Sequence, residues 1–257
     1  MGFPMIQVQN LTKSFTDPKR GVVHAVDHVS FAVREREIFG LLGPNGAGKT
    51  TTLRMLATIL APSEGTAVLA GHDVIREPGE VRRSIGFLSG DMGLYPRLTP
   101  RETLVFFGEL NGMKGARLRE RIDSIFARLK IDTFADTKID RLSTGMRQRT
   151  AIARTLVHDP QILILDEPTS GLDVPTAQVI EEFILSARNA GKAVILSTHV
   201  MEEAEYLCDR IGVIHDGRLK LTGTMEELRA ATGKQRLREV FLDLLGIEAT
   251  AREAHAS

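Results

Sequence analysis

The chain has 257 residues, enough to bury roughly 70–75% of its unfolded surface without a disulfide or metal staple. Its 33 Lys and Arg balance 33 Asp and Glu, which excludes both the basic field of a nucleic-acid binder and the acidic excess of a disordered chain. The one cysteine, Cys208, has no internal partner and reads as a small helix-face filler in a reducing, cytosolic setting.

Residues 5–9 and 29–33 alternate apolar and polar side chains, the period of half-buried strands. The Asp-Pro-Lys-Arg-Gly cluster at 17–21 reads as a hairpin tip between them. An apolar run over 37–42 leads into a glycine-rich loop and a helix expected over 49–60. Two more short strands fall at 65–70 and 85–88.

Near Thr99 a helix begins, with Pro100 at its first position and Thr99 and Glu102 spaced as a capping box. Leu118, Ile122, Ile125, Phe126 and Leu129 stripe one face of the next helix. Arg117, Arg119, Glu120, Arg121 and Asp123 read as its solvated face. Residues 90–158 are thus expected to form a mostly helical insertion.

Alternation returns with a buried strand at 162–165, a helix over 174–190 stopped by Gly191, a strand at 193–196 and a helix to about Cys208. Strands at 211–214 and 219–221 join at Asp216-Gly217, a tight hairpin signal. Thr224 and Glu227 cap a further helix. A last stripe, Leu237, Val240, Phe241, Leu244 and Leu245, packs on the core or on a partner, and the tail past Gly246 reads as loosely ordered. This order predicts an α/β fold, with a largely parallel sheet and helices on both faces. The apolar runs fall far below the ~18 residues of a spanning helix. Residues 1–4 lack the basic start and apolar stretch of a signal peptide.

Gly43-Pro44-Asn45-Gly46-Ala47-Gly48-Lys49-Thr50 fits G-x-x-x-x-G-K-S/T between a strand and a helix, with Thr51 just inside the helix. Glycines let successive N–H groups curl towards phosphate oxygens, and the helix N-terminus adds positive partial charge. Lys49 is expected to reach the β- and γ-phosphates and Thr50 to ligate Mg²⁺. The plainer alternative is a glycine-rich turn with an exposed lysine. At the carboxyl end of the 162–165 strand stand Asp166, suited to magnesium, and Glu167, suited to deprotonating water. An acidic pair there is also a common helix cap.

Leu142-Ser143-Thr144-Gly145-Met146 follows the octet and precedes Asp166. With Ser170-Gly171-Leu172-Asp173 and Ser197-Thr198-His199, it resembles the ATP-binding subunit of an ABC transporter over residues 6–223. Thr144 and Met146 stand at varied positions of that family's LSGGQ signature. The resemblance implies a P-loop NTPase fold with a RecA-like core, an N-terminal antiparallel β subdomain and an α-helical subdomain. The ATP-binding domain would span 1–225, with the helical subdomain at about 90–158 and a C-terminal helical extension over 226–257.

The resemblance also implies residue roles. Phe15 would stack on adenine, unless it is a strand-end core residue. Ser143, Thr144 and Gly145 would cap the γ-phosphate of ATP held by the opposite subunit, Asp173 would sit at the dimer seam, and His199 would support the Glu167 step. ATP and Mg²⁺ are the implied cofactors. The implied partners are a second copy or paired ATPase and integral membrane permease chains, with no nucleic acid. The implied location is the cytoplasm, peripheral on the inner face of the membrane.

Family members usually carry Gln where this chain has Gly90, followed by Asp91. Either Asp91 substitutes as an oxygen ligand, or the glycine loosens a hinge. Segments 86–95, 142–149 and 156–160 are similar to the ATPase subunits of sodium-exporting systems, within the group that serves ABC-2-type permeases. Export of drugs, lipids or polysaccharide and a non-transport ABC ATPase remain as alternatives.

Overall fold

The computed structural model describes residues 4–19, 21–90 and 93–246, so the expectations on Asp91 and on the tail past Gly246 lie outside the described residues. β1 (Ile6–Asp17) and β2 (Gly21–Val33) form an antiparallel hairpin, with Asp17 opposite Gly21 across the expected tip. Both strands run well beyond the alternating segments. Their register shifts at three places between Val8 and Ser14, and Asn10 has φ 47°, so bulges break the period-2 pattern that a sequence reading relies on.

β3 (Ile38–Leu42) is buried throughout and leads into α1 (Lys49–Leu56). This helix stops four residues short of the expected end. Thr58 turns left-handed at φ 59°, and the N–H groups of Ile59 and Leu60 both donate to the Arg54 carbonyl. β4 (Glu64–Leu69) and β5 (His72–Asp73) return to the hairpin, and α2 (Pro78–Ser84) precedes β6 (Ile85–Leu88). Three helices follow, α3 (Pro100–Leu110), α4 (Gly115–Leu129) and α5 (Thr144–Leu156). The chain then alternates through β7 (Ile162–Asp166), α6 (Val174–Asn189), β8 (Ala193–Thr198), α7 (Met201–Leu207) and β9 (Arg210–His215). β10 (Arg218–Gly223), α8 (Met225–Thr232) and α9 (Leu237–Leu244) complete the described chain.

Two sheets result, one of four antiparallel strands ordered β2-β1-β4-β5, the other of six strands ordered β10-β9-β3-β8-β7-β6. The larger is parallel except for its edge strand β10. Alternate residues of its buried strands face opposite ways. Leu163, Leu165, Val194 and Leu196 pack under Phe126, Ile152 and Ile180 of the helices. Ile162, Ile164 and Ile195 pack with Leu53 and Leu56 of α1 and with Val26, Val29 and Phe31 of the hairpin. The second face therefore carries α1 together with the four-stranded sheet rather than helices alone.

Both capping boxes form, Thr99 with Glu102 and Thr224 with Glu227. The charged face of α4 is only partly solvated. Arg121 is half-buried and donates to the Leu156 carbonyl and to Asp159, tying α4 to the end of α5. Leu237, Val240 and Phe241 of α9 pack on Ala204, Ile211 and Val213, so that stripe is core. Cys208 lies just past α7, where a methyl added to Gly40 would come within 2.5 Å of its Sγ. Burial pushes its thiol pKa far up, consistent with an unreactive filler.

Candidate active site

The phosphate loop is shaped by what crowds it. Gly48 sits at φ 103°, and a Cβ there would fall 2.4 Å from the Ala25 carbonyl oxygen on β2. Gly43 is equally constrained, with the Ile214 carbonyl 2.4 Å from a Cβ. Ala47 is buried, and its carbonyl accepts from the N–H of Gly217 at the β9–β10 turn. Asn45 and Gly46 are exposed at the loop's rim. Lys49 is 4% exposed and lies under the loop, where Nζ donates to the Gly43 and Pro44 carbonyls at 2.7 and 3.1 Å. Burial pushes its pKa down, and Glu167 and Asp166 offset that only in part. The alternative of a turn with an exposed lysine is thereby excluded.

Parallel pairing of β3, β8 and β7 sets the ends of these strands side by side. Asp166, 5% exposed, accepts from Thr50 Oγ1 at 3.1 Å and from Ser197 Oγ at 2.6 Å. Ser197 Oγ in turn accepts the Glu167 N–H at 3.0 Å. Glu167 takes φ 48°, unusual for a residue with a Cβ and typical of functional turns. Its Oε1 lies 3.5 Å from Lys49 Nζ and 3.2 Å from His199 Nδ1. One carboxylate thus stands between the buried cation and the imidazole at the mouth of the loop.

Ser143 caps α5, accepting from the Met146 N–H, with Thr144 exposed beside it. Asp173 caps α6 through the Thr176 N–H, and these bonds, with Arg149 behind them, hold its carboxyl below the usual range. Gly145 faces Thr176 so closely that a Cβ would meet its Cγ2 at 2.8 Å. The starts of α5 and α6 are therefore one surface. Phe15 is 45% exposed near the β1–β2 tip, with Lys13 Nζ 5.4 Å from its ring centre, so it is not a core residue. Thr51 is in the first turn of α1. Gly90 is exposed, with open space where a Cβ would be.

The profile of the ABC transporter family matches residues 26–170. The chain is 39% identical over 242 residues to the ABC transporter ATP-binding protein NatA of Bacillus subtilis, covering 94% of this chain and 98% of that one. The chain belongs to the ABC transporter family. It is also 42% identical over 226 residues to a Nod factor export ATP-binding protein of Paraburkholderia xenovorans, covering 88% of this chain and 73% of that one. A dimeric ATP-binding cassette solved in a post-hydrolysis state with ADP and Pi superposes with TM-score 0.79 at 28% identity, covering 86% of this chain and 98% of that one. This ABC ATPase is the ATP-binding and hydrolysing subunit that powers an exporter.

Sequence reasoning did not single out three residues that hold the candidate site together. Ser197 bridges Asp166 and Glu167. Gln148, on α5, donates to the Pro168 carbonyl at 2.7 Å. Glu203 accepts from Thr169 and Thr198. Ser197 and Gln148 each lay inside a segment already noted, Ser197-Thr198-His199 and 142–149, but without a role of their own. Gln148 and one oxygen of Glu203 meet partners 20 and 34 residues away, which no local pattern reveals, while the other oxygen of Glu203 meets the nearby Thr198.

Proposed function

We propose that two copies of the chain close face to face around two ATP molecules, each site built from the phosphate loop of one copy and the Ser143–Gly145 surface of the other. The supporting observation is the placement of Glu167 at the mouth of the loop, 3.5 Å from Lys49 and 3.2 Å from His199. Lys49 exchanges its carbonyl partners for the β- and γ-phosphates, while the loop N–H groups and the start of α1, through Thr51, hold the same oxygens. Glu167 orients the attacking water and accepts its proton as a general base. His199 keeps that carboxylate aimed and contacts the γ-phosphate. Phe15 offers an open ring face to the adenine.

Thr50 Oγ1 and Asp166 Oδ1, 3.1 Å apart at the strand end, are hard oxygen donors of the kind magnesium takes alongside phosphate oxygens. The residues therefore fit Mg²⁺, which when bound would offset the charge of the phosphates.

Across the dimer, Ser143, Thr144 and Gly145 present a hydroxyl, N–H groups and the α5 start to the partner's γ-phosphate, with Asp173 beside them at the seam. Since neither half-site alone encloses the triphosphate, binding holds the copies together and hydrolysis frees them. Separate permease chains would place the protein on the inner face of the cell membrane. No helix among the described residues is long and apolar enough to cross a membrane. An exposed cluster of Tyr95, Phe106 and Leu110 offers those permeases a docking face. Sodium efflux is the transport reading favoured by the sequence resemblance of segments 86–95, 142–149 and 156–160.

Glu167→Gln removes the base and keeps the shape. Light scattering with ATP should show a stable dimer, while hydrolysis falls by about 10²-fold or more. Hydrolysis at the parental rate would refute Glu167 as the base. A monomer under those conditions would refute the shared site.

A further inference from the structure

Glu203 is a carboxylate that the proposed reaction does not use. It lies in the first turn of α7 and is 7% exposed. Among the described residues no ion pair compensates it. Its two oxygens accept from two hydroxyls instead, Oε1 from Thr169 Oγ1 at 2.6 Å and Oε2 from Thr198 Oγ1 at 2.5 Å.

Those hydroxyls stand next to the two residues that meet at the loop's mouth. Thr169 stands two residues after Glu167, and Thr198 stands one residue before His199. Thr198 Oγ1 also accepts the Val200 N–H at 3.0 Å, so the turn carrying His199 is pinned on both sides. Past the strand ends, Glu167 and His199 each ride on a turn. The contact between them is 3.2 Å, and Glu167 holds a left-handed backbone. A left-handed non-glycine residue persists only where its surroundings over-determine it. Two hydroxyls held by one buried carboxyl group tie both segments to a single point on α7.

We infer that Glu203 is a positioning residue that staples the turn after Glu167 to the end of β8 just before His199 and so keeps the two aligned for hydrolysis. This rests on the assignment of Glu167 and His199 as the hydrolytic pair. In this role Glu203 acts only through the two threonine hydroxyls. Its loss should leave the phosphate loop, Lys49 and Phe15 in place, and so should act on kcat and not on binding.

The test is a kinetic cycle on the full chain. Glu203→Ala should lower kcat by on the order of 10²-fold with the KM for ATP within about twofold, since a misplacement of ~1 Å costs that much. Glu203→Gln keeps the reach and can still bridge both oxygens, so it should recover most of the rate. In a His199→Ala background, Glu203→Ala should add less than about twofold, because residues acting through one contact are not additive. Should Glu203→Ala fold poorly, Thr169→Val removes one arm of the staple with little change of shape, and should show the same split between kcat and KM.

The inference is overturned if Glu203→Ala, or Thr169→Val in its place, turns over ATP at the parental rate while Glu167→Gln is inactive. It is equally overturned if the Glu203→Ala loss is undiminished in the His199→Ala background, the mark of a merely structural residue. Parental turnover by Glu167→Gln would instead bring down the assignment beneath it, and this inference with it.

Discussion

Burial takes the His158 imidazole below its ordinary pKa, with Lys192 and Arg121 adding to the effect against the hydrogen bond to the Ile85 carbonyl. In the unfolded chain the group protonates near pH 6.5, while the folded chain resists. The unfolded state then binds more protons, so stability falls as pH drops from about 7 towards 5. His158→Gln keeps a donor for Ile85 but does not titrate. Urea unfolding at pH 7, 6 and 5 should show a flatter slope for the variant, and equal slopes would exclude His158 as the source. Asp159 acts in a lower window, since burial raises its pKa but Lys192 and Arg121 more than reverse this.

At this scale the sequence was legible where chemistry imposes spacing. The octet 43–50, Asp166, Glu167 and His199 were singled out in the sequence, and the structure brings Lys49, Thr50, Asp166, Glu167 and His199 together. Arg121 was misread as solvated because its acceptors at Leu156 and Asp159 are far along the chain. Glu203 escaped because its link to Thr169 is likewise far along the chain.

Elements were legible where their signals are local. The Thr99 box closes as its spacing predicts, Oγ1 accepting from the Glu102 N–H at 3.1 Å and Glu102 accepting from the Thr99 N–H at 2.8 Å. Thr99→Ala opens it and should cost about 1 kcal/mol, read as a lower urea midpoint at constant slope. Thr99→Ser should restore most of it, and an unshifted midpoint for the alanine variant would show that α3 is held by packing alone. Ends of elements were less legible. α1 gives way at Thr58, where the sequence carries neither glycine nor proline, and β1 and β2 continue through bulges that scramble their alternation.

For the whole molecule, the parallel sheet followed from the strand–helix order, but its cover did not. Setting the β1–β2 hairpin over Ile162, Ile164 and Ile195 depends on contacts between distant segments. The outer surface carries its own message. Tyr95 and Phe106 meet edge to face at 6.1 Å between ring centres, and with Leu110 they leave an apolar patch in solvent. If permeases dock there, Phe106→Asp should lower both co-purification with the detergent-solubilised partner and ATP-driven sodium efflux from vesicles holding the pair. Undiminished co-purification would place the docking face elsewhere. Intact, ATP-driven transport of another cargo would dismiss sodium alone.

The turn at Gly217 has a reach beyond its hairpin. Its N–H closes on the Ala47 carbonyl, and its carbonyl accepts the Asp27 N–H from β2. One residue thus stitches the phosphate cradle to both layers of the architecture, like a keystone shared by two arches. Fuel seated in that cradle braces the joint by mass action, and the empty protein is the looser building.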